Sequence, residues 1–267
     1  MNGIIEELGS VAAVSHVDAS QDTTQVMCTT HGQYLSRAYF GGRWTKCPRC
    51  ADEEKQARER EEAERRDLEL RARLQARIRD SNIPPRFMDR TLSSFVASSD
   101  EQRHALDFAK SFTDQVARDE ANGRCAVFVG KPGTGKTHLA CGIALQAMEA
   151  GRSALYVTVA RMIRCIRATY VKGSEESEAD AIKLFTQPDL LILDEVGVQR
   201  GTEDEKNLLF DVLNQRYGYR DSTILLSNLS AKDLRGYLGE RVFDRFREDG
   251  GEVVVFDWKS HRGEVAS

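Results

Sequence analysis

The sequence predicts an α/β fold, a parallel sheet sandwiched between helices in three layers, on three observations. From about residue 101 onward, helical periods alternate with short runs rich in β-branched residues. A glycine-rich segment, Gly130-Lys-Pro-Gly133-Thr-Gly135-Lys136-Thr137, joins one such run to the helical period that follows it. A further apolar run, Leu190–Leu193, ends in two carboxylates, Asp194 and Glu195.

In chain order, residues 1–25 are polar, without sustained periodicity, and read as a weakly ordered tail. The pattern C-x2-H-x15-C-x2-C follows, formed by Cys28, His31, Cys47 and Cys50. Three thiolates and an imidazole in two close pairs are the donor set of a closed tetrahedral Zn²⁺ site, so residues 1–50 read as a tail and a zinc-binding module. Between Ala51 and Asp80 lie ten acidic and nine basic side chains with no Gly or Pro, which predicts one long solvated helix, a connector over 51–80. Its apolar stripe is short: Leu70, Leu74 and Ile78. Pro84 and Pro85 end it, and the α/β domain takes 81–267.

Within that domain the strands are predicted at Cys125–Val129, Ala154–Val157, Leu190–Leu193, Thr223–Leu226 and Val253–Phe256. Helices are predicted near 102–120, 136–150, 160–171, 203–220 and 230–247. Cys125, Cys141 and Cys165 sit among apolar neighbours and read as core packing.

Composition bounds the rest. The chain has 267 residues, 40% hydrophobic and 30% charged, with 20 Gly and 5 Pro, which excludes collagen, low-complexity disorder and a disulfide-stapled miniprotein. Its apolar runs fall far short of the ~20 residues that cross a bilayer, so no membrane association is expected. The first residues lack the pattern of a secretory signal, from which a cytoplasmic protein with reduced thiols is expected. The net charge of −4 confines any nucleic-acid contact to a local patch.

The glycine-rich segment has the strand-loop-helix setting of a phosphate-binding loop. Gly130, Pro132, Gly133, Thr134 and Gly135 would let backbone N–H groups surround a β-phosphate, with His138 in the first turn beyond. Lys136 would reach the β- and γ-phosphates and Thr137 would ligate Mg²⁺. Asp194 would share that Mg²⁺ and Glu195 would polarise the attacking water; alone, such a pair also reads as an ordinary strand exit. Asn228, after the run Thr223–Leu226, would lie beside them at the C-terminal edge of a parallel sheet. Arg241 and Arg245 share a helical face, either as an ion-paired surface or as the source of an arginine lent to a neighbouring subunit's γ-phosphate, with Arg241 preferred. The remaining histidines, His16, His104 and His261, have no partner at ligand or triad spacing.

Gly130–Thr137, LLILDEVGVQ at 190–199, Ser227-Asn228, LGERVFDRFR at 238–247 and Phe256-Asp-Trp258-Lys-Ser-His-Arg262 together resemble the ATPase domain of DnaC-type replicative helicase loaders, a branch of the AAA+ proteins. The resemblance runs from about Ile83 to Arg262. It implies an AAA+ P-loop ATPase, slow and stimulated by DNA, that loads a DnaB-type hexameric helicase onto single-stranded DNA and self-associates when ATP is bound. It makes Asn228 the sensor asparagine, Arg241 the trans-acting finger and Arg262 an additional phosphate sensor. It maps Arg164, Arg167, Tyr170 and Lys172 onto a DNA-contacting insertion, although by their own pattern these residues read equally well as an amphipathic surface helix. With eleven residues after Phe256, no helical lid is expected. By analogy, residues 1–80 would grip the helicase through the zinc module and the Leu70/Leu74/Ile78 stripe. Two rivals stand beside this reading: an IstB-type transposition helper acting on duplex DNA, and an adaptor that binds nucleotide only to hold its fold.

Overall fold

The computed structural model describes residues 23–39, 43–118, 120, 123–171, 177–198 and 202–260. The chain divides into two compact units, Met1–Glu69 and Leu70–Ser267.

In the first unit, β1 (Thr23–Cys28) and β2 (Gly32–Tyr39) form an antiparallel hairpin, and β3 (Arg43–Trp44) pairs with the end of β2. The turn closes with Cys28 opposite Gly32, where φ is +79. Strand β1 begins inside the stretch expected to be tail, because Thr23, Thr24 and Val26 are β-branched and register against β2. Helix α1 (Pro48–Asp80) starts three residues before the expected connector, with proline at its first position. Cys50 therefore sits in its first turn. The helix is exposed along most of its length and carries (i,i+4) pairs such as Lys55–Glu59 at 3.9 Å and Glu62–Arg66 at 3.5 Å.

The second unit is built on a parallel five-stranded sheet, β4 (Ala126–Gly130), β5 (Ala154–Thr158), β6 (Leu190–Asp194), β7 (Ser222–Ser227) and β8 (Glu252–Phe256), in the order β5-β6-β7-β4-β8. Strands β4 to β7 are buried on both faces and read as near-continuous apolar runs, whereas the edge strand β8 leaves Val255 half exposed. One face packs Phe128, Ile192, Leu226 and Phe256 against α2 (Asp100–Ala117) and α3 (Lys136–Glu149). The other packs Val127, Leu191 and Leu225 against α4 (Val159–Ala168), α5 (Glu178–Thr186), α6 (Glu203–Tyr219) and α7 (Ala231–Leu238). Leu74 and Ile78 of the predicted partner-gripping stripe pack against the first of these cores, and the Leu70 side chain lies outside the described residues. Leu74 and Ile78 therefore cover the second unit's own core.

Three helical expectations change. The stretch 230–247 is broken at Gly239, φ +78, into α7 and α8 (Glu240–Arg245). The helix at 160–171 ends at Ala168. A helix that the sequence reading did not contain, α5, buries Ala181, Ile182 and Phe185.

Candidate nucleotide-binding site

Helix N-termini show where the site lies. Helices α2, α4, α5, α6 and α7 begin at Ser99, Thr158, Ser177, Thr202 and Ser230, whose side chains each accept a backbone N–H from three residues on. Helix α3 and the six-residue α8 begin instead at glycines with no capping side chain, and at α3, where Gly135 has φ +99, the glycine-rich loop leads straight into first-turn donors left for a ligand. The loop before it is shaped by close approach. A Cβ on Gly130 would meet the Phe256 carbonyl oxygen at 2.2 Å, and one on Gly135 would meet the Phe95 ring at 2.7 Å. Lys136 is buried, its Nζ donating to the Gly130 and Lys131 carbonyls at 2.6 and 2.8 Å.

The ends of β4, β6 and β7 then meet. Thr137 Oγ1 lies 3.5 Å from Asp194 Oδ2, and the same Oδ2 accepts the Tyr156 hydroxyl. Asp194 Oδ1 accepts the Glu195 N–H at 2.7 Å, so both of its oxygens are oriented. Burial, then the charge of Asp194, pushes the Tyr156 phenol up, which keeps it a donor. Glu195 adopts φ +61, a left-handed conformation unusual for a side-chain-bearing residue, and is exposed. Ser227 Oγ donates to the Val196 carbonyl at 2.6 Å and Val196 N donates to Leu226 O at 3.0 Å, tying this turn to β7 beside Asn228.

These groups line one cavity of about 640 Å³ that holds Pro132, Gly133, Gly135, Lys136, Thr137, His138, Asp194, Glu195 and Asn228, a size that fits a nucleotide. Its other wall was not foreseen: Arg86, Phe87, Arg90, Phe95 and Val96 come from the irregular stretch before α2, where two short 3-10 turns carry no periodicity to read. His138 is fixed to that wall, its Nε2 donating to Thr91 O at 2.9 Å and lying 3.1 Å from Ser94 Oγ, with the ring edge-on to Phe95. Burial holds its pKa below the usual imidazole value.

The other predicted residues lie elsewhere. Arg245 Nη1 donates to Asn214 at 2.7 Å and its guanidinium covers the Tyr217 ring at 4.4 Å. Arg241 is exposed, with no hydrogen bond or ion pair among the described residues, and lines a shallow depression with Phe210 and Asn214 rather than the nucleotide cavity. On α4, Arg164 is exposed, whereas Arg167 is held by Asp204 at 2.7 Å and Glu205 at 3.5 Å. Tyr170 is half exposed. Lys172, Gln199, Arg262, His16 and His261 lie outside the described residues.

In the first unit, the Cys28, His31, Cys47 and Cys50 donor atoms all lie within 4.8 Å of one another. Cys28 Sγ is 3.5 Å from Cys50 Sγ, and His31 Nδ1 is 3.3, 3.8 and 3.9 Å from the sulfurs of Cys50, Cys47 and Cys28. Metal–sulfur bonds of about 2.3 Å give a tetrahedron with edges of about 3.8 Å, so the donor set fits zinc. His31 Nε2 meets Glu53 Oε1 at 2.9 Å, an outer carboxylate that aims Nδ1 inward. The Thr30 and His31 backbone N–H groups draw the Cys28 thiol down to about 6, while contact with the Cys28 sulfur pushes Cys50 up to about 12. Two such sulfurs need a cation to be thiolates together.

Comparison with known proteins identifies the family. Residues 57–245 match the family model described as IstB-like ATP binding protein. The replicative helicase loader DnaC of Escherichia coli K12 is similar at 31% identity over 193 residues, 72% of this chain and 77% of that protein. The protein YdaV of the same strain is similar at 34% identity over 205 residues, 77% of this chain and 80% of that protein. Among solved structures, the crystal structure of the DnaC helicase loader matches with a TM-score of 0.57 at 24% identity, over 65% of this chain and 100% of that one. AMPPCP-bound DnaA from Aquifex aeolicus matches with a TM-score of 0.55 at 24% identity, over 67% of this chain and 52% of that one. The structural likenesses show the shared fold, and the sequence matches show the family: the chain belongs to the IstB-like ATP-binding proteins, in the AAA+ branch that includes the DnaC helicase loaders.

Proposed function

We propose that this protein hydrolyses ATP to load a DnaB-type hexameric replicative helicase onto single-stranded DNA, working in the cytoplasm. The observation that carries this reading is the 31% identity to the replicative helicase loader DnaC over 72% of the chain, together with the gathering of Lys136, Thr137, Asp194, Glu195 and Asn228 on one cavity.

The loop donors and Lys136 bind the triphosphate. Thr137 and Asp194 would hold magnesium, whose chemistry there is to neutralise charge on the β- and γ-phosphates. Glu195 takes a proton from the attacking water, whose oxygen bonds to the γ-phosphorus as the β–γ bridging oxygen leaves with ADP. Asn228 orients that water. Arg241, exposed and clear of its own cavity, reaches the γ-phosphate of an adjacent copy, whereas the contacts of Arg245 with Asn214 and Tyr217 make it part of the fold. ATP and single-stranded DNA favour this assembly, with Arg164 and Tyr170 meeting the strand, and hydrolysis releases the helicase. Cys28, His31, Cys47 and Cys50 would hold a structural zinc ion that folds the unit meeting the helicase.

The family description favours a second reading, an IstB-type transposition helper on duplex DNA. Capture of a purified replicative helicase hexamer by the full chain separates the two. The loader reading expects ATP-dependent capture and a preference for single-stranded DNA, with capture lost in a chain that begins at Leu70. Absence of helicase capture together with tight duplex binding would establish the transposition helper instead.

A further inference from the structure

The segment that ends β8 touches the phosphate-binding loop three times in three consecutive residues. Phe256 pairs with Gly130 in the sheet, its carbonyl oxygen in the space a Cβ on Gly130 would take. The Asp257 carboxylate lies 2.7 Å from Lys131 Nζ. The Trp258 indole Nε1–H donates to the Thr134 carbonyl at 2.9 Å, while its ring lies against Phe256 with centroids 4.8 Å apart. Thr134 is fully buried, and its hydroxyl donates to the Lys131 carbonyl, which also accepts from Lys136 Nζ. The indole therefore fastens the middle of the loop to a frame that already includes the phosphate-binding lysine.

We propose that Trp258 is a positioning residue for the nucleotide: its N–H sets the Thr134 peptide so that the Gly133–Lys136 donors are arranged before ATP arrives. The proposal rests on the loop being the ATP site. Of the side-chain contacts the indole is the one with leverage, because Lys131 and Asp257 are both 70% exposed and such a pair contributes little. An unmade hydrogen bond at Thr134 leaves the peptide free to rotate, and reordering it weakens binding rather than the chemical step.

The test is equilibrium binding of a fluorescent ATP analogue to the full chain and to Trp258→Phe, which keeps an aromatic ring and removes the donor. Trp258→Phe should keep its melting curve and bind about threefold to tenfold more weakly, the range of one lost hydrogen bond. Wild-type affinity in a folded Trp258→Phe protein overturns the proposal. Trp44 is the only other tryptophan, so Trp44→Phe leaves Trp258 as sole emitter and supplies a second reading that needs no change at 258. Its emission, already that of the fastened indole, should keep its wavelength when non-fluorescent AMPPCP binds. A shift toward a more buried indole on confirmed binding would show that the contact forms only with nucleotide, which also overturns the proposal. If the wild-type chain takes up no ATP analogue at all, the nucleotide reading itself falls, a result distinct from either.

Discussion

Tyr156 donates its hydroxyl to Asp194 Oδ2, the same oxygen that faces Thr137 Oγ1 across 3.5 Å. Strands β5 and β6 are parallel neighbours with Thr158 opposite Asp194, so the ring reaches the carboxylate from the side of the sheet that faces α3. With Glu195 N–H on the other oxygen, the carboxylate is fixed in orientation.

Tyr156→Phe should therefore change how the site uses magnesium more than how the protein folds. The expected result is a severalfold rise in the Mg²⁺ concentration that half-saturates binding of an ATP analogue, with about 1 kcal/mol or less lost in stability. A magnesium titration monitored by analogue fluorescence measures it. An unchanged midpoint removes Tyr156 from the site.

If Cys28, His31, Cys47 and Cys50 hold zinc, the first unit should unfold alone when the metal is removed. Along α1 few side chains between Ala51 and Glu69 are buried, so the helix start depends on Cys47, Cys50 and Glu53 being held against the hairpin. A strong chelator, or Cys47→Ser with Cys50→Ser, should lower the helical circular dichroism signal while the melting transition of the α/β unit stays in place. Cobalt substitution should give thiolate charge-transfer bands that the double variant lacks.

His138 predicts an acid-side loss of stability. Its folded pKa lies below that of the unfolded chain, so in the window between them the unfolded state binds more protons. The neutral ring's contribution is thus complete above about pH 6.5 and declines as pH falls toward the folded value. The melting temperature should drop between pH 7 and pH 5 more steeply in the wild type than in His138→Gln. Parallel curves would show that burial does not disfavour the charged ring at this position.

Arg164 and Arg167 of α4 should separate. Arg164→Ala should weaken single-stranded DNA binding at low salt and reduce its salt dependence, without changing stability. Arg167→Ala also breaks the contacts with Asp204 and Glu205 that join α4 to α6, so it should alter thermal stability as well. Equal behaviour of the two variants in both assays contradicts this division.

Much of the nucleotide site was legible in the sequence because its chemistry demands contiguous residues: a loop whose glycines must take left-handed or crowded conformations, a lysine and threonine at a helix start, acids at a strand end. The cluster of Cys28, His31, Cys47 and Cys50 was legible for the same reason, as two close pairs. The contacts of Tyr156 with Asp194, Phe95 with His138 and Trp258 with Thr134 were not, since each joins residues distant in sequence that only the fold brings together. Leu74 and Ile78 show the converse. Their spacing revealed an apolar stripe but not what it covers, and it covers the protein's own core. Gly239 ended a helix that its neighbours would have continued, and α5 was hidden by its length of nine residues.

The most direct measurement is DNA-stimulated ATP turnover by an equal mixture of Glu195→Gln and Arg241→Ala proteins. Each variant alone should bind ATP yet turn over at least about a hundredfold more slowly than wild type. Where an Arg241→Ala copy supplies the intact pocket and a Glu195→Gln copy the guanidinium, a complete site re-forms, and the mixture should recover a substantial fraction of wild-type activity. A mixture no faster than its components, or an Arg241→Ala protein as active as wild type, would contradict a site shared between copies.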